Sequence, residues 1–347
     1  MRVLFVTFPG FQLFEGGIKT QVISLKEELE KIGCEVKIFC EEPVKKEELK
    51  SYEIIHFFGS GIKTFHLFQI ITSFNKKIIL TPVFYSQHSA MINKIGIGLF
   101  TFFYKYFGFY NEHLILKEMV KNSHLIVCNT CAEKDLIKKM FGLEETRLAI
   151  LPNGVDIDFY YASPYLCYEK LGLRGFILYV GHIGYKRKNL LRCLEVLKKL
   201  NFPTLLVGKI IKNNYSDKCL SLIKEAKNIY VIDELPHNSE LLKSIYAACE
   251  VFLLPSYYET PGIAALEAGL AGAKILITKN GGTKEYFKDY AFYLNPYSQR
   301  DIEKKLVLAF KKEKNNLLRE HIKNNYTWDI IAVKLRKIYE DFLRTNG

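Results

Sequence analysis

Short unbroken apolar runs alternate along this chain with longer stretches in which apolar residues recur every three or four positions. The runs fall at 2–8 (RVLFVTF), 35–40 (EVKIFC), 54–58, 77–84, 125–128 and 149–151, then at 176–180 (FILYV), 204–207, 229–232 and 251–254. An apolar run such as RVLFVTF suits a strand buried on both faces, and the others are read as strands of the same kind of sheet. Between them, periods of three to four predict helices over about 20–32, 132–140, 190–200 and 241–248. Gly33 is placed to stop the first of these. Strand–helix alternation in two successive series predicts an α/β protein of two doubly wound parallel-sheet domains. The turn-rich PNGVD at 152–156 separates them, giving domains over 1–160 and 161–325 and a terminal helix over 326–347.

The stretch over 255–282, PSYYETPGIAALEAGLAGAKILITKNGG, carries the densest candidate chemistry. Thr260 can cap a helix with Pro261 at its first position, leaving the amides of Gly262 and Ile263 unpaired. Such a helix start favours an anion, through its free donors and its dipole. Glu259 stands just before it and Glu267 about one and a half turns inside. A phosphate on the helix start with hydroxyl-accepting carboxylates on either side suits a sugar joined to a nucleotide. The alternative is an ordinary capped helix with two surface glutamates.

Glu-x7-Glu after a strand ending in Pro-Ser, followed by a Gly-rich turn, resembles the donor site of the family-4 retaining glycosyltransferases (glycosyl transferases group 1). That resemblance implies the GT-B fold: two Rossmann-like domains facing a cleft, an acceptor-side N-terminal domain, a donor domain, and a terminal helix crossing back, with Trp328 as its anchor. PNGVD matches the family's crossing segment. The loop Gly181-His182-Ile183-Gly184-Tyr185-Lys186-Arg187-Lys188-Asn189 matches the family loop whose arginine and lysine contact the donor diphosphate. Lys188 stands at the lysine position, but His182 occupies that of the arginine. Histidine lacks the permanent charge and fork of arginine; Arg187 or Lys186 is placed to compensate. A basic solvated loop is the alternative. Gly16 and Gly17, in a Gly-rich loop after the first strand, match a loop that touches donor or acceptor, with a plain tight turn as the alternative. His88 follows the fourth run, where the family often has a cleft histidine or aspartate; a loop histidine is the alternative reading.

The resemblance implies transfer of a hexosyl group from a nucleotide-diphosphate sugar, UDP- or GDP-linked, to a glycan or lipid-linked acceptor, with retention and without a metal ion. Glu259, Lys188 and His88 are the expected catalytic residues. Gly16, Gly17, His182, Arg187, Lys188, Gly262, Ile263 and Glu267 are the expected donor contacts. Two other readings stay open: a GT-B nucleotide-sugar epimerase, or an inactive GT-B partner subunit, which the missing arginine would suit.

Composition changes this picture in three places. The net charge of +12 is uneven: residues 1–160 hold 19 Lys/Arg against 18 Asp/Glu, and 161–347 hold 30 against 19. The excess lies in the half expected to hold a diphosphate, and no nucleic-acid-binding motif accompanies it. The eight cysteines include one CxxC, Cys128 and Cys131, without the second ligand pair that zinc would need. The segment over 95–110, IGIGLFTFFYKYFGFY, has eight aromatics in sixteen residues, and residues 63–139 around it hold ten Lys/Arg against four Asp/Glu. It is too short and interrupted to span a bilayer, yet suits an interfacial element on an anionic membrane surface. A buried helix is the alternative. The first run is too short for a signal peptide, so a cytoplasmic protein, peripheral at the membrane and active in surface polysaccharide assembly, is expected. The sequence does not indicate an oligomeric state.

Overall fold

The computed structural model describes residues 1–13, 16–40, 46–86, 88–107 and 111–345, without the side chains of Lys46, Leu99 and residues 102–107. The chain forms two compact units, one of Met1–Gly154 with Trp328–Gly347, the other of Val155–Thr327. The sequence places the division near 160; in the structure Val155 already pairs with Thr327 and donates its N–H to Tyr326 O at 2.8 Å. Gly154 just before it lies under the Trp328 ring, where a Cβ would come within 2.4 Å of a ring carbon. Any larger residue would displace the indole.

Among the described residues, the first unit is built on β1 (Arg2–Val6), β2 (Glu35–Phe39), β3 (Ile54–Phe58), β4 (Ile78–Thr81), β5 (Leu125–Cys128) and β6 (Leu148–Ile150). They pair in parallel in the order β2-β1-β3-β4-β5-β6. Alternate residues of each strand point to opposite faces, and β1, β3, β4 and β5 are covered on both, whereas edge strand β2 exposes Glu35 and Lys37. Val3, Phe5, Ile54 and Phe58 pack with Val22, Leu25 and Leu29 of helix Gly17–Lys31 and with Ile331, Leu335 and Tyr339 of helix Trp328–Thr345. Leu4, Val6, Ile55 and Phe57 pack on the other face with Phe65, Phe68, Met119 and Ile137. This double burial is why the strands read as unbroken apolar runs. Polar residues sit inside it as well. His56 on β3 is bonded to Tyr339 Oη at 2.6 Å and Thr81 Oγ1 at 2.8 Å, and burial pushes its imidazole down to about 3, so it is neutral.

The second unit is built on β7 (Ile177–Val180), β8 (Thr204–Val207), β9 (Ile229–Ile232), β10 (Val251–Leu254), β11 (Lys274–Thr278) and β12 (Phe292–Leu294), parallel throughout in the order β12-β11-β10-β7-β8-β9. The winding starts at β7, runs outward through β8 and β9, and returns to continue from β10. The direction of winding therefore reverses between β7 and β10. The carboxyl ends of the two strands at that point are the place where open parallel sheets hold ligands.

The aromatic segment begins within helix Ala90–Phe107; the side chains of 102–107 and all of 108–110 lie outside the described residues, as do Glu15, Gln87 and 41–45 of the charged connector. Among the described residues, no helix is long and apolar enough to cross a membrane, and no group of three or more His, Cys, Asp or Glu is placed to hold a metal ion. All eight cysteines are free thiols; Cys128 is buried at the end of β5 and Cys131 opens helix Cys131–Phe141.

Candidate functional site

The loops that leave β7 and β10 converge at the reversal point of the second sheet. After β7 the chain makes a 3-10 turn, Lys186–Lys188, and Asn189 follows with a left-handed φ of 55°. The buried Asn189 amide donates to Pro255 O at 3.1 Å and to Pro296 O at 2.8 Å. One side chain thus ties together the segments that follow β7, β10 and β12. Tyr257 N–H donates to Arg187 O, and the Arg187 guanidinium returns a bond to Tyr258 O at 3.0 Å. The basic loop is therefore held against the Pro255–Glu259 segment by backbone as well as side chain.

Glu259 is the centre of this arrangement. Only 5% of its surface is exposed. Its Oε1 accepts from Lys188 Nζ at 2.7 Å and from Ser256 Oγ at 2.6 Å, with Arg187 Nη1 at 3.4 Å. Burial opposes ionisation here, but Lys188 and Arg187, with the bonds from Lys188 and Ser256, outweigh it and hold the carboxyl below its ordinary range. The residue is ionised at neutral pH. Two cations against one carboxylate leave this cluster with one positive charge in excess, which suits an anionic ligand.

The backbone at Glu259 stays extended, pairing with Gly281: Glu259 N–H donates to Asn280 O and Gly282 N–H to Glu259 O. Gly281 has φ 93°, and a Cβ there would lie 2.1 Å from Glu259 O. Only glycine fits. This pairing also corrects the expected helix start. Thr260 is not the cap and Pro261 is not its first residue: both lie in a bend that follows the Glu259 bridge, and the peptide between them is cis. The helix spans Ile263–Leu270 with Gly262 as its N-cap at φ 85°. The amides of Gly262 and Ile263 still head the helix, where helix geometry provides them no acceptor.

His182 lies half-buried in the same loop system, its Nδ1 3.8 Å from Glu234 Oε1 and its ring tilted against Tyr185. Glu267 is farther along the helix, buried, with Oε1 accepting from His237 Nε2 at 2.6 Å and Oε2 from Tyr246 Oη at 2.7 Å. Gly16, Gly17 and His88 belong to the first unit. Gly16 caps helix Gly17–Lys31, its carbonyl accepting from Thr20 N–H at 3.2 Å. His88 is exposed, and its N–H donates to Ser86 Oγ at 3.2 Å. Lys188, Arg187 and Glu259 are thus brought into mutual contact, while Glu267 and His182 each keep separate partners. Sequence reasoning did not single out Ser256, Asn280, His237, Tyr246 or Glu234. Ser256 had a signal, three residues before Glu259. The others come from distant segments and had none.

Two doubly wound parallel sheets, with a basic loop and a buried carboxylate at the second reversal point, define an α/β protein of the GT-B class. Solved structures agree on the fold. Sucrose-phosphate synthase from Thermosynechococcus elongatus matches with a TM-score of 0.77 at 16% identity, over 99% of each chain. HepE from Anabaena, in complex with UDP and glucose, gives 0.71 at 14%, over 98% of this chain and 100% of that one. WaaG, a glycosyltransferase involved in lipopolysaccharide biosynthesis, gives 0.69 at 16%, over 97% and 99%. Residues 15–159 match Glycosyltransferase Family 4 and residues 170–328 match Glycosyl transferases group 1. The chain belongs to the family-4, group 1 glycosyltransferases. Among characterised and uncharacterised relatives, the glycosyltransferase MJ1607 of Methanocaldococcus jannaschii is 24% identical over 78% of this chain and 72% of its own. The mannosylfructose-phosphate synthase of Agrobacterium fabrum is 22% identical over 63% of this chain, which spans about half (53%) of that protein.

Proposed function

We propose that this glycosyltransferase moves a hexosyl group from a UDP- or GDP-linked sugar to a glycan or lipid-linked acceptor, with retention at the anomeric carbon and without a metal ion. The observation that carries the reading is the contact of Lys188 and Arg187 with the buried, ionised Glu259 at the β7/β10 reversal, beside the free first-turn amides of helix Ile263–Leu270. Leaving of a nucleoside diphosphate builds negative charge on its outer phosphate while positive charge grows on the sugar ring. Fixed cations and amides aimed at that phosphate stabilise the transition state more than the ground state. When the diphosphate arrives, Lys188 and Arg187 turn from Glu259 to the phosphates. Glu259 is then released to accept from sugar hydroxyls or to face the positive ring carbon. His182 supplies one further hydrogen bond in place of a permanent charge.

On the first unit, Met91, Ile92 and Ile95 of helix Ala90–Phe107 are exposed beside the exposed Lys94. Apolar side chains with neighbouring cations suit the headgroup region of an anionic membrane, and this supports a peripheral position on the cytoplasmic face near a lipid-linked acceptor. Changing Met91, Ile92 and Ile95 together to serine should release the protein from phosphatidylglycerol vesicles; unchanged binding would remove the membrane from the proposal. The catalytic reading is tested by screening UDP- and GDP-sugars for a raised melting point, then for turnover with acceptor. A donor converted into a second nucleotide sugar without acceptor would instead indicate an epimerase. No stabilisation by any nucleotide sugar would overturn the donor site.

A further inference from the structure

Two tyrosines stand together beside the charged cluster of the second unit. Tyr257 lies three residues past β10 and two before Glu259, and Tyr297 lies three residues past β12. Their rings are stacked, 22° from parallel with centroids 5.2 Å apart. Tyr257 is half-buried, whereas Tyr297 is 53% exposed. Because Tyr257 covers one face of the Tyr297 ring, the exposed surface is the opposite face and the edge.

Core packing does not account for the pair. Among the described residues, neither ring belongs to, or packs against, the two hydrophobic cores of this unit. Both are nonetheless carried on pinned backbone. Tyr257 N–H donates to Arg187 O at 2.9 Å, and its carbonyl accepts from Asn280 Nδ2 at 2.9 Å. Tyr297 N–H donates to Asn295 Oδ1 at 3.1 Å, and its carbonyl accepts from Arg192 Nη1 at 3.1 Å. The Asn189 amide, bonded to Pro255 O and Pro296 O, joins the two segments. The stack is thus held in place at the same carboxyl edge of the sheet as Glu259, with an open aromatic face.

The face of an aromatic ring is negative and its edge positive. A pyranose offers the complement: C–H hydrogens on its flat face and hydroxyls around its rim. Tyrosine gives a large, rigid contact area at low entropic cost, and the fixed backbone lowers that cost further. A sugar on the open face of Tyr297 is separated by the full thickness of that ring from Tyr257, the member of the pair nearer Glu259 in the chain. It is a second sugar position, beside the one that the diphosphate and Glu259 define.

We infer that the Tyr257–Tyr297 stack is a glycan-binding platform, with Tyr297 taking the face of a pyranose ring of the acceptor. This rests on the transferase reading above and adds to it an acceptor contact on the second unit.

Saturation-transfer NMR of the full chain, with UDP and GDP present in excess, tests it with methyl α-D-glucopyranoside, methyl α-D-mannopyranoside and methyl β-D-galactopyranoside as probes. Wild type should pass saturation to the ring C–H hydrogens of at least one glycoside. Tyr297→Phe keeps the aromatic face and should retain the signal. Tyr297→Ala should weaken binding of that glycoside about tenfold, the scale of one aromatic contact. Calorimetric titration with UDP, GDP, UDP-glucose and GDP-mannose should give wild type and Tyr297→Ala the same affinities. An unchanged glycoside signal in Tyr297→Ala would overturn the inference, as would a wild type that takes up none of the three probes. Weaker binding of UDP or GDP by Tyr297→Ala would assign the ring to the nucleotide base, and weaker binding of the nucleotide sugars alone would assign it to the donor sugar; either result overturns the inference. Wild type that binds no nucleotide or nucleotide sugar would defeat the donor-site reading, while glycoside contact at Tyr297 would still be read from the same spectra.

Discussion

Replacing Lys188 by methionine removes the ammonium that lies 2.7 Å from Glu259 Oε1 and keeps most of the side-chain volume. Two consequences follow from the geometry. The first concerns stability. Glu259 is buried and the Lys188 side chain is only 18% exposed, so the change leaves a carboxylate inside the protein with Ser256 and the more distant, half-exposed Arg187. Breaking a buried pair by deleting one partner costs roughly 3–5 kcal/mol, and the retained Arg187 places the expected loss near the lower end, about 3 kcal/mol. The loss must depend on pH. Glu259 titrates below its ordinary value of 4.5 in the folded protein, so its contribution is fully present above that value and disappears as pH falls through the folded pKa. Once Glu259 is protonated there is no stranded charge, and the gap between Lys188→Met and wild type should close. Thermal melting from neutral pH down to about pH 3 measures this. The second consequence is catalytic: loss of one fixed cation facing the leaving diphosphate should lower kcat by about 10²–10³, the usual effect of removing one electrostatic donor. Release of nucleoside diphosphate reports it. A variant with wild-type melting at neutral pH and wild-type turnover would refute both the charge pair and its role.

Three further outcomes test neighbouring parts of the structure. Glu259→Gln should fold, since Gln still accepts from Ser256 and Lys188, but should turn over at least about 100-fold more slowly, as an enzymatic assay with a saturating donor would reveal. Gly281→Ala places a methyl group 2.1 Å from Glu259 O at a left-handed φ of 93°; it should cost about 1–3 kcal/mol and reduce activity by displacing Glu259, and wild-type melting and rate together would contradict the close approach. His56 is neutral in the fold, with its imidazole pushed down to about 3 by burial. A histidine depressed in this way stabilises the fold above its ordinary 6.5 and loses that stabilisation as pH falls toward the folded value. Between pH 6.5 and 5 the first unit should lose about 2 kcal/mol, a slope that His56→Phe should abolish in denaturant titrations read from a probe in that unit.

The architecture was legible because double burial leaves a plain trace: strands covered on both faces read as apolar runs, and β3, β5, β8 and β10 coincide with the runs at 54–58, 125–128, 204–207 and 251–254. The site was legible in part. Lys188, Arg187 and Glu259 were readable because each sits just after a strand, and parallel strands deliver all such residues to one end of a sheet. The helix start was misread by two residues, since the pairing of Glu259 with Gly281 that delays it depends on a segment from another strand.

The amino-acid order by itself therefore determined the strands, the helices and the short list of charged residues that follow them, because burial and local turn chemistry act over a few neighbouring positions. Tertiary structure alone decided which of those residues meet. It set Ser256, Lys188 and Arg187 on one oxygen of Glu259, and it brought His237 and Tyr246 to the two oxygens of Glu267. Those contacts join segments separated by 71 residues in the case of Lys188 and Glu259 and one more for Arg187, and their partners are fixed by strand order and by the packing of helices on the sheet, neither of which has a local signature.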